Sequence, residues 1–374
     1  MEVSARLDLP YLSPQQSQKH VTVNEGLRRL DAIVQLGVVS ATTSAEPGSP
    51  ADGDLYILPA GKAGTDWGAM TDLAVAYYVD GAWSQLTPRE GWRAYVADTD
   101  RLLVYDGAAW DEIVQASQVR ERVTANRTYY VRSDGSDANT GLADTAGGAF
   151  LTLQKAWNTI AGLDLSTFAA TIELGTATFT GGLVVDKVPL GGSGVTINGD
   201  GAASTILSTA SRGIHVTAPG AVITLTNFKI ETSGSSNNNC LEVAAHSKVY
   251  LGGGMEFGAS VGRHIRVTGF GYVFAVGNWA ISGGALSHLA TGPTGLFEAY
   301  ARTVTITGTP AFSTAFVDTQ DASPQLWYQM TFSGSATGKR YNAVRNGIIN
   351  SFGGGASYFP GDVAGTTATG GVYA

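Results

Sequence analysis

The sequence predicts a mainly β protein in which a small α+β domain is followed by a parallel β-helix, with an antiparallel β-sandwich as the alternative for the second part. Gly accounts for 49 of the 374 residues and charged residues for only 14 %, against averages of about 7 % and about 25 %. The charge is concentrated early, because 19 of the 31 acidic residues lie at or before Asp137. Beyond about residue 125, short β-branched runs recur at a regular interval.

Composition also excludes several classes of protein. A hydrophobic share of 44 % is enough to bury large cores, which argues against disorder. The net charge of −8 and the pI near 5.1 argue against nucleic acid and anionic membranes as partners. The amino terminus lacks a secretory pattern, and no stretch is apolar enough to span a membrane. We therefore expect a soluble protein made in a cytoplasm, without membrane insertion. Cys240 is expected to be a small buried hydrophobe.

The first predicted domain, residues 1–114, begins with one or two helices over about 13–37. Ser13-Pro14 is typical of a helix start, since a side-chain oxygen satisfies free amides and Pro has no amide to lose. Apolar residues follow at helical spacing. The opposite face of this helix is predicted to be polar and includes Arg28, Arg29 and Asp31.

Two β-hairpins are predicted in the rest of this domain. Asp80-Gly81 and Asp106-Gly107 each lie between aromatic or β-branched residues. Such a pair favours a type I′ turn, because both central positions need positive φ. Polar and apolar residues after Asp111 then suggest a short connecting helix, which we place at 115–127.

The β-helix is predicted over residues 128–334. Successive strand-like runs are centred 26, 26, 24, 31 and 26 residues apart. One coil of a parallel β-helix has about this length, and each strand stacks on its equivalent one coil later. An antiparallel sandwich with strands roughly every 8–12 residues fits the same counts. The run centres are Ile197, Ile223, Val249, Val273, Val304 and Met330.

Three segments resemble phage-type structural proteins. Residues 9–114, with Leu9-Pro10-Tyr11-Leu12 and the motif at 88–92, resemble an amino-terminal domain of unknown function found in structural proteins of phages and gene-transfer particles. Residues 129–141 and 150–157 are similar to the first coil of right-handed parallel β-helices in tailspikes and pectate-lyase-like proteins. A helix from Leu153 to about Ile160 would cap that coil. The Gly-rich segment 335–374 resembles the carboxyl-terminal end of tail fibres and spikes, which implies a trimeric tip.

These resemblances imply a homotrimeric fibre or spike protein of a virion, on the tail or the capsid surface. Residues 1–114 would dock on other virion proteins. The carboxyl-terminal end would meet a bacterial capsular polysaccharide or lipopolysaccharide. Two alternatives remain open at this stage: a tailspike enzyme that depolymerises the polysaccharide as a hydrolase or lyase, and a purely structural connector within the virion.

Candidate site residues are few. Glu231 and Glu256 are 25 positions apart, close to one coil, so they would stack and could form a catalytic carboxylate pair, although chance gives such spacings too. The segment Asp134–Asn139 alternates oxygens like a calcium loop but lacks the downstream Glu, so we interpret it as a turn and expect neither a metal nor a cofactor. The candidate glycan-binding residues, each of which could instead pack inside a coil, are Trp279, Tyr300, Trp327 and Tyr328.

Overall fold

The computed structural model describes residues 2–12, 19–113 and 119–374. The chain divides into two units, Met1–Val119 and Arg120–Ala374. Within the described residues, neither α-helix combines the length and hydropathy that a membrane-spanning segment requires.

The first unit is the small α+β domain that the sequence predicts. It contains one α-helix, α1 (Lys19–Ile33), a short 3-10 helix at Trp67–Ala69, and two sheets. The three-stranded sheet is antiparallel, and its strands are Leu55–Ile57, Val75–Val79 and Ala82–Leu86. In the four-stranded sheet only the first pair is parallel, and its strands are Gly37–Val38, Arg93–Val96, Arg101–Tyr105 and Trp110–Glu112.

Helix α1 confirms the predicted helical segment, whose positions 13–18 lie outside the described residues. The predicted polar face needs one correction, because Asp31 is fully buried. Its carboxylate accepts hydrogen bonds from Ser4 Oγ at 2.7 Å, the Leu7 amide at 2.6 Å and the Tyr77 hydroxyl at 3.3 Å. Burial and the Asp31 charge raise the pKa of Tyr77. Asp31 thus ties the amino-terminal segment to the helix and the sheet.

The hairpin at Asp80-Gly81 is confirmed, and the two turn residues have φ of 52° and 79°, as a type I′ turn requires. The hairpin at Asp106-Gly107 also exists but has a different turn. There the two alanines after Gly107 lengthen the loop, and Asp106 Oδ1 accepts from the amides of Ala108 and Ala109 at 2.8 and 2.7 Å.

The second unit is a parallel β-solenoid of about eight turns, not an antiparallel sandwich. Three sheets of ten, seven and nine strands run along it, and all the pairs in them are parallel. Sheet A comprises Arg127–Val131, Ala170–Leu174, Val195–Gly199, Val222–Thr226, Lys248–Leu251, Tyr272–Ala275, Leu296–Tyr300, Pro324–Tyr328, Ile348–Asn350 and Val372–Tyr373. Sheet B comprises Ala177–Phe179, Thr205–Thr209, Lys229–Thr232, Met255–Ser260, Trp279–Ile281, Thr303–Ile306 and Thr331–Ser333. Sheet C comprises Leu183–Val185, Ile214–Val216, Leu241–Val243, Ile265–Val267, Ala285–Thr291, Ala311–Thr319, Thr337–Gly338, Tyr341–Ala343 and Thr366–Thr367. A separate short pair is formed by Asp164–Ser166 and Leu190–Gly191.

The register explains the irregular interval of 31 residues in the predicted repeat. Val273 lies in sheet A and stacks on Phe297, which is 24 positions later in the same sheet. Val304, the next predicted centre, lies in sheet B. The predicted series therefore crossed from one sheet to the next, whereas the true repeat stays shorter.

Alternating side chains of every sheet point inward and form one continuous core. Cys240 belongs to it and is fully buried, as predicted, and burial raises the pKa of its thiol to about 12. The core is closed at its start by helix α2 (Leu153–Ala161), which matches the predicted cap. Thr152 Oγ1 accepts from the Lys155 amide at 3.1 Å and so caps α2.

Two predicted segments require correction. The connecting helix at 115–127 falls partly on residues outside the described ranges, and the described part, 119–126, is not helical. It is extended instead, because the Val123 amide donates to Asp164 O and the Asp164 amide to Glu121 O, both at 2.9 Å.

The predicted boundary between 334 and 335 is the second correction. Strands Ile348–Asn350 and Val372–Tyr373 continue sheet A in parallel register, so the solenoid extends through the segment predicted as a separate tip.

Candidate functional site

Six aromatic side chains form a row on the outer face of sheet A, which we call the aromatic stripe. They alternate with inward residues such as Val249 and Val273, so the two-residue period of a strand turns the rings outward. Tyr328 and Phe352 are the most open, with 40 % and 49 % of their surface exposed, and the other four are half-buried. The aromatic stripe consists of Tyr250, Tyr272, Phe274, Tyr300, Tyr328 and Phe352.

Ring contacts make the stripe continuous across successive turns. The centroids of Phe274 and Tyr300 are 5.8 Å apart, those of Tyr300 and Tyr328 6.3 Å, and those of Tyr328 and Phe352 5.1 Å, all with edge-on geometry. Tyr250 lies 6.2 Å from Phe274 at the other end. Each of these separations falls in the favourable range for aromatic pairs, so the rings hold one another in fixed orientations.

Polar groups lie beside the rings. The Lys248 ammonium is 4.5 Å from the centroid of Tyr250 and 4.8 Å from that of Tyr272. The Tyr272 hydroxyl donates to Glu298 Oε2 at 2.7 Å. Burial and the Glu298 carboxylate raise the pKa of Tyr272 and of Tyr300. The phenols therefore stay neutral and keep their hydrogens for donation.

The same face of sheet A is polar in the earlier turns. Its outward residues there include Glu173 and Asn198, and Asn198 Nδ2 donates to Glu173 Oε2 at 2.6 Å. Asn227 extends this chain by donating to Asn198 Oδ1 at 2.9 Å. The aromatic stripe is therefore confined to the turns from Lys248 onward, which is the carboxyl-terminal half of the solenoid.

The four predicted glycan-binding residues separate into two groups. Tyr300 and Tyr328 belong to the aromatic stripe. Trp279 and Trp327 lie inside the solenoid, with 2 % and 0 % of their surface exposed, so no glycan reaches their rings. For these two tryptophans the structure supports the alternative role, packing inside a coil.

Sequence reasoning missed the other four rings of the aromatic stripe. A signal was present, because Tyr250, Phe274 and Tyr300 follow one another at intervals close to one coil. Each also lies next to, or two positions from, a residue that packs inward. Interpreting the spacing required the register of sheet A, which the irregular predicted repeat did not supply.

The candidate carboxylate pair does converge on the outer face of sheet B. Glu231 and Glu256 each place Oε1 next to Lys229 Nζ, at 3.4 and 3.5 Å, so the two oxygens lie within about 7 Å of one another. Ser282 Oγ also donates to Glu256. In a glycoside hydrolase the space between the two carboxyl groups holds the scissile bond. Here the Lys229 ammonium occupies that space.

The acidic turn near residue 134 is used for structure. The Arg132 guanidinium pairs with Asp134 and lowers the pKa of that carboxyl. Asp137 accepts from the amides of Leu151 and Thr152 at 3.0 and 2.9 Å. A Cβ on Gly135 would lie 2.4 Å from a backbone oxygen, so only Gly fits this turn. In the described part of the chain, no group of three or more His, Cys, Asp or Glu side chains is placed to hold a metal ion.

Comparisons with known proteins identify only the first unit. The model of a family described as "Protein of unknown function (DUF2793)" matches residues 23–111. The amino-terminal region thus carries a DUF2793 domain, in keeping with the predicted domain of unknown function, and a β-solenoid follows it. No curated protein and no solved structure matches the chain.

Proposed function

We propose that the chain is a fibre- or spike-type attachment protein of a virion, and that the aromatic stripe binds a bacterial surface polysaccharide. The observation that carries this proposal is the stripe itself, a row of outward rings on one face of a stiff solenoid. A β-solenoid is compatible with a fibre or spike because its turns stack into a rod that spaces surface groups regularly.

The chemistry of the stripe fits a sugar chain. A pyranose has an apolar C–H face and a rim of hydroxyls, so it needs a flat apolar surface next to hydrogen-bonding groups. Tyr300 and Tyr328 supply ring faces and phenol hydroxyls, and Glu298 supplies an acceptor beside them. The rings are already ordered by mutual contact, so little conformational entropy is lost when a ligand binds.

The proposal includes two protein partners. Residues 1–114 dock the chain on other virion proteins, and three copies form a homotrimer. Both rest on the resemblance of residues 9–114 and 335–374 to phage-type structural proteins. Light scattering on the full chain is then expected to give three times the 38.8 kDa chain mass, and a mass of one chain would contradict the trimer.

Replacing both Tyr300 and Tyr328 with Ala is expected to weaken polysaccharide binding. Loss of two stacking rings at about 1 kcal/mol each lowers affinity about 10- to 30-fold. Affinity electrophoresis through gels containing capsular polysaccharide or lipopolysaccharide from a panel of bacteria measures the effect. Thr224→Ala is the matched control, since Thr224 lies on sheet A outside the stripe. If the double variant binds as tightly as Thr224→Ala, the stripe does not bind the polysaccharide.

A second candidate function is depolymerisation of the polysaccharide, which the convergence of Glu231 and Glu256 favours. If the protein is a hydrolase, incubation with the same polysaccharides releases reducing ends steadily, and Glu256→Gln reduces the rate at least about 100-fold. Ser282→Ala serves as the control because Ser282 only hydrogen-bonds to Glu256. Our attachment proposal predicts no release from either protein.

A further inference from the structure

A groove on the outer face of sheet C contains two arginines. Arg266 points outward from strand Ile265–Val267 and has Glu242 on one side and Ala290 on the other in the register of the sheet. Asp318 follows one turn beyond Ala290. Because Ala290 has a short side chain, a gap remains between Arg266 and Asp318, and Arg263 and Gln320 also line it.

Neither arginine has an acidic partner. Glu242 is engaged by the Arg212 guanidinium and by Asn239 Nδ2, both at 3.0 Å. Asp318 Oδ1 accepts from Asn342 Nδ2 at 2.8 Å. Within the described ranges, no carboxylate lies at salt-bridge distance from Arg263 or Arg266, and neither guanidinium donates a hydrogen bond to protein.

Holding the two arginines together is unfavourable in the absence of an anion. Burial, and then the positive charge of Arg266, lower the pKa of the Arg263 guanidinium. Each guanidinium presents a planar set of donors whose geometry matches a carboxylate. The net charge of −8 repels polyanions from the chain as a whole, so an anion bound here must be bound locally.

The other groups in the groove indicate which anion fits. The Asp318 carboxylate would repel a dianion such as phosphate, but it can accept hydrogen bonds from hydroxyls. The Gln320 amide can donate to hydroxyls and accept from them. A ligand with one carboxylate and adjacent hydroxyls uses all of these groups.

We propose that the Arg263–Arg266 groove binds the carboxylate of a uronic acid unit in an acidic polysaccharide. The proposal deepens the attachment function, on which it rests for the polysaccharide, and it names the ligand class as an acidic glycan. The groove lies on sheet C, separate from the aromatic stripe on sheet A.

Isothermal titration calorimetry with oligogalacturonate and oligoglucuronate tests the groove on the full chain. We expect saturable binding of at least one of them, no binding of neutral dextran oligosaccharides, and no competition by inorganic phosphate. Arg266→Gln and Arg263→Gln should each weaken binding about tenfold or more, and Arg266→Lys less than Arg266→Gln. Arg29→Gln is the control, because it removes the same charge from an exposed site in the first unit. Circular dichroism confirms that each variant is folded.

Three results would overturn the inference: no uronate binding, equal binding by the Arg266 and Arg29 variants, or equal competition by phosphate. Its failure is distinguishable from failure of the attachment function. If the chain adsorbs to polysaccharide through the stripe and the arginine variants adsorb equally, only the groove is refuted. If the chain adsorbs to no polysaccharide but binds oligouronate through the arginines, only the attachment function is refuted.

Discussion

We expect Trp327→Ala to lower the free energy of unfolding of the solenoid by about 3–5 kcal/mol, as truncation of a fully buried tryptophan does in other cores. Trp327 has none of its surface exposed. Its ring centroid lies 4.6 Å from that of Phe297 and 5.3 Å from that of Phe359. Removing the indole leaves a cavity between turns that rigid strands cannot collapse to fill.

The same substitution also removes a buried hydrogen bond. Trp327 Nε1 donates to Gln325 Oε1 at 3.1 Å, and the Gln325 side chain is fully buried. Without the indole, that oxygen loses its partner inside the core, which adds to the destabilisation. Trp327→Phe fills part of the cavity but cannot donate, so its effect should lie between those of wild type and Trp327→Ala.

Tyr328→Ala is the matched control for this prediction. Tyr328 is the next residue on the same strand and points outward with 40 % of its surface exposed. Its loss should change the free energy of unfolding by less than about 1 kcal/mol. Urea unfolding followed by near-ultraviolet circular dichroism measures both variants. Equal destabilisation by the two substitutions would contradict the inward and outward assignments.

The solenoid could be predicted because its repeat comes from a local rule. One coil uses a nearly constant number of residues, and alternate residues of each strand are apolar. The sequence could not tell Trp327 from Tyr328, because both are aromatic and the phase of the alternation depends on which neighbours face inward. Gln325 illustrates the difficulty: it is polar, yet it is fully buried and satisfied by the indole two positions later.

Asp31 shows a second limit of sequence reasoning. Helical spacing places it on a polar face, and nothing nearby in the sequence indicates burial. Its partners come from Ser4 and from Tyr77, which are 27 and 46 positions away in the chain. A carboxylate can be buried when several donors converge on it, and that convergence is a property of the folded domain.

The candidate site combines both situations. Tyr300 and Tyr328 could be named from residue type alone, whereas the arginine groove depends on Ala290 lying between Arg266 and Asp318 in sheet C. These residues come from successive turns, so only the register brings them together. Predicting such a groove requires knowing which residues stack, to within one position.

We expect the solenoid to lose about 4 kcal/mol of stability between about pH 7 and pH 5 because of two buried histidines. His264 and His288 are both fully buried, and their Nδ1 atoms are 3.2 Å apart. Trp279 Nε1 donates to His288 Nε2 at 3.1 Å, so the proton of His288 lies on Nδ1 and points to His264. Phe257 and Phe316 pack against the pair. Neither ring can therefore be charged without leaving a cation in an aromatic core.

The direction of the effect follows from the two pKa values. Burial lowers the pKa of His264 to about 3, and burial together with His264 lowers that of His288 well below its usual value. In the unfolded chain both titrate near about 6.5. The unfolded state therefore binds more protons below that pH, and stability is fully present above about pH 6.5 and falls as the pH decreases toward the folded pKa. Each histidine contributes about 2 kcal/mol over this interval.

The apparent melting temperature at half-unit pH steps measures this dependence, and the double variant His264→Gln, His288→Gln is the decisive comparison. The variant is expected to be less stable at neutral pH, because its packing is poorer, but its stability should be much less sensitive to pH. A smaller dependence remains from His215, whose pKa is lowered chiefly by burial. His246→Gln is the control, since His246 is exposed on a turn, stacked on Phe270. A wild-type profile that is flat between about pH 7 and pH 5, or equal flattening by His246→Gln, would show that the buried pair does not limit acid stability.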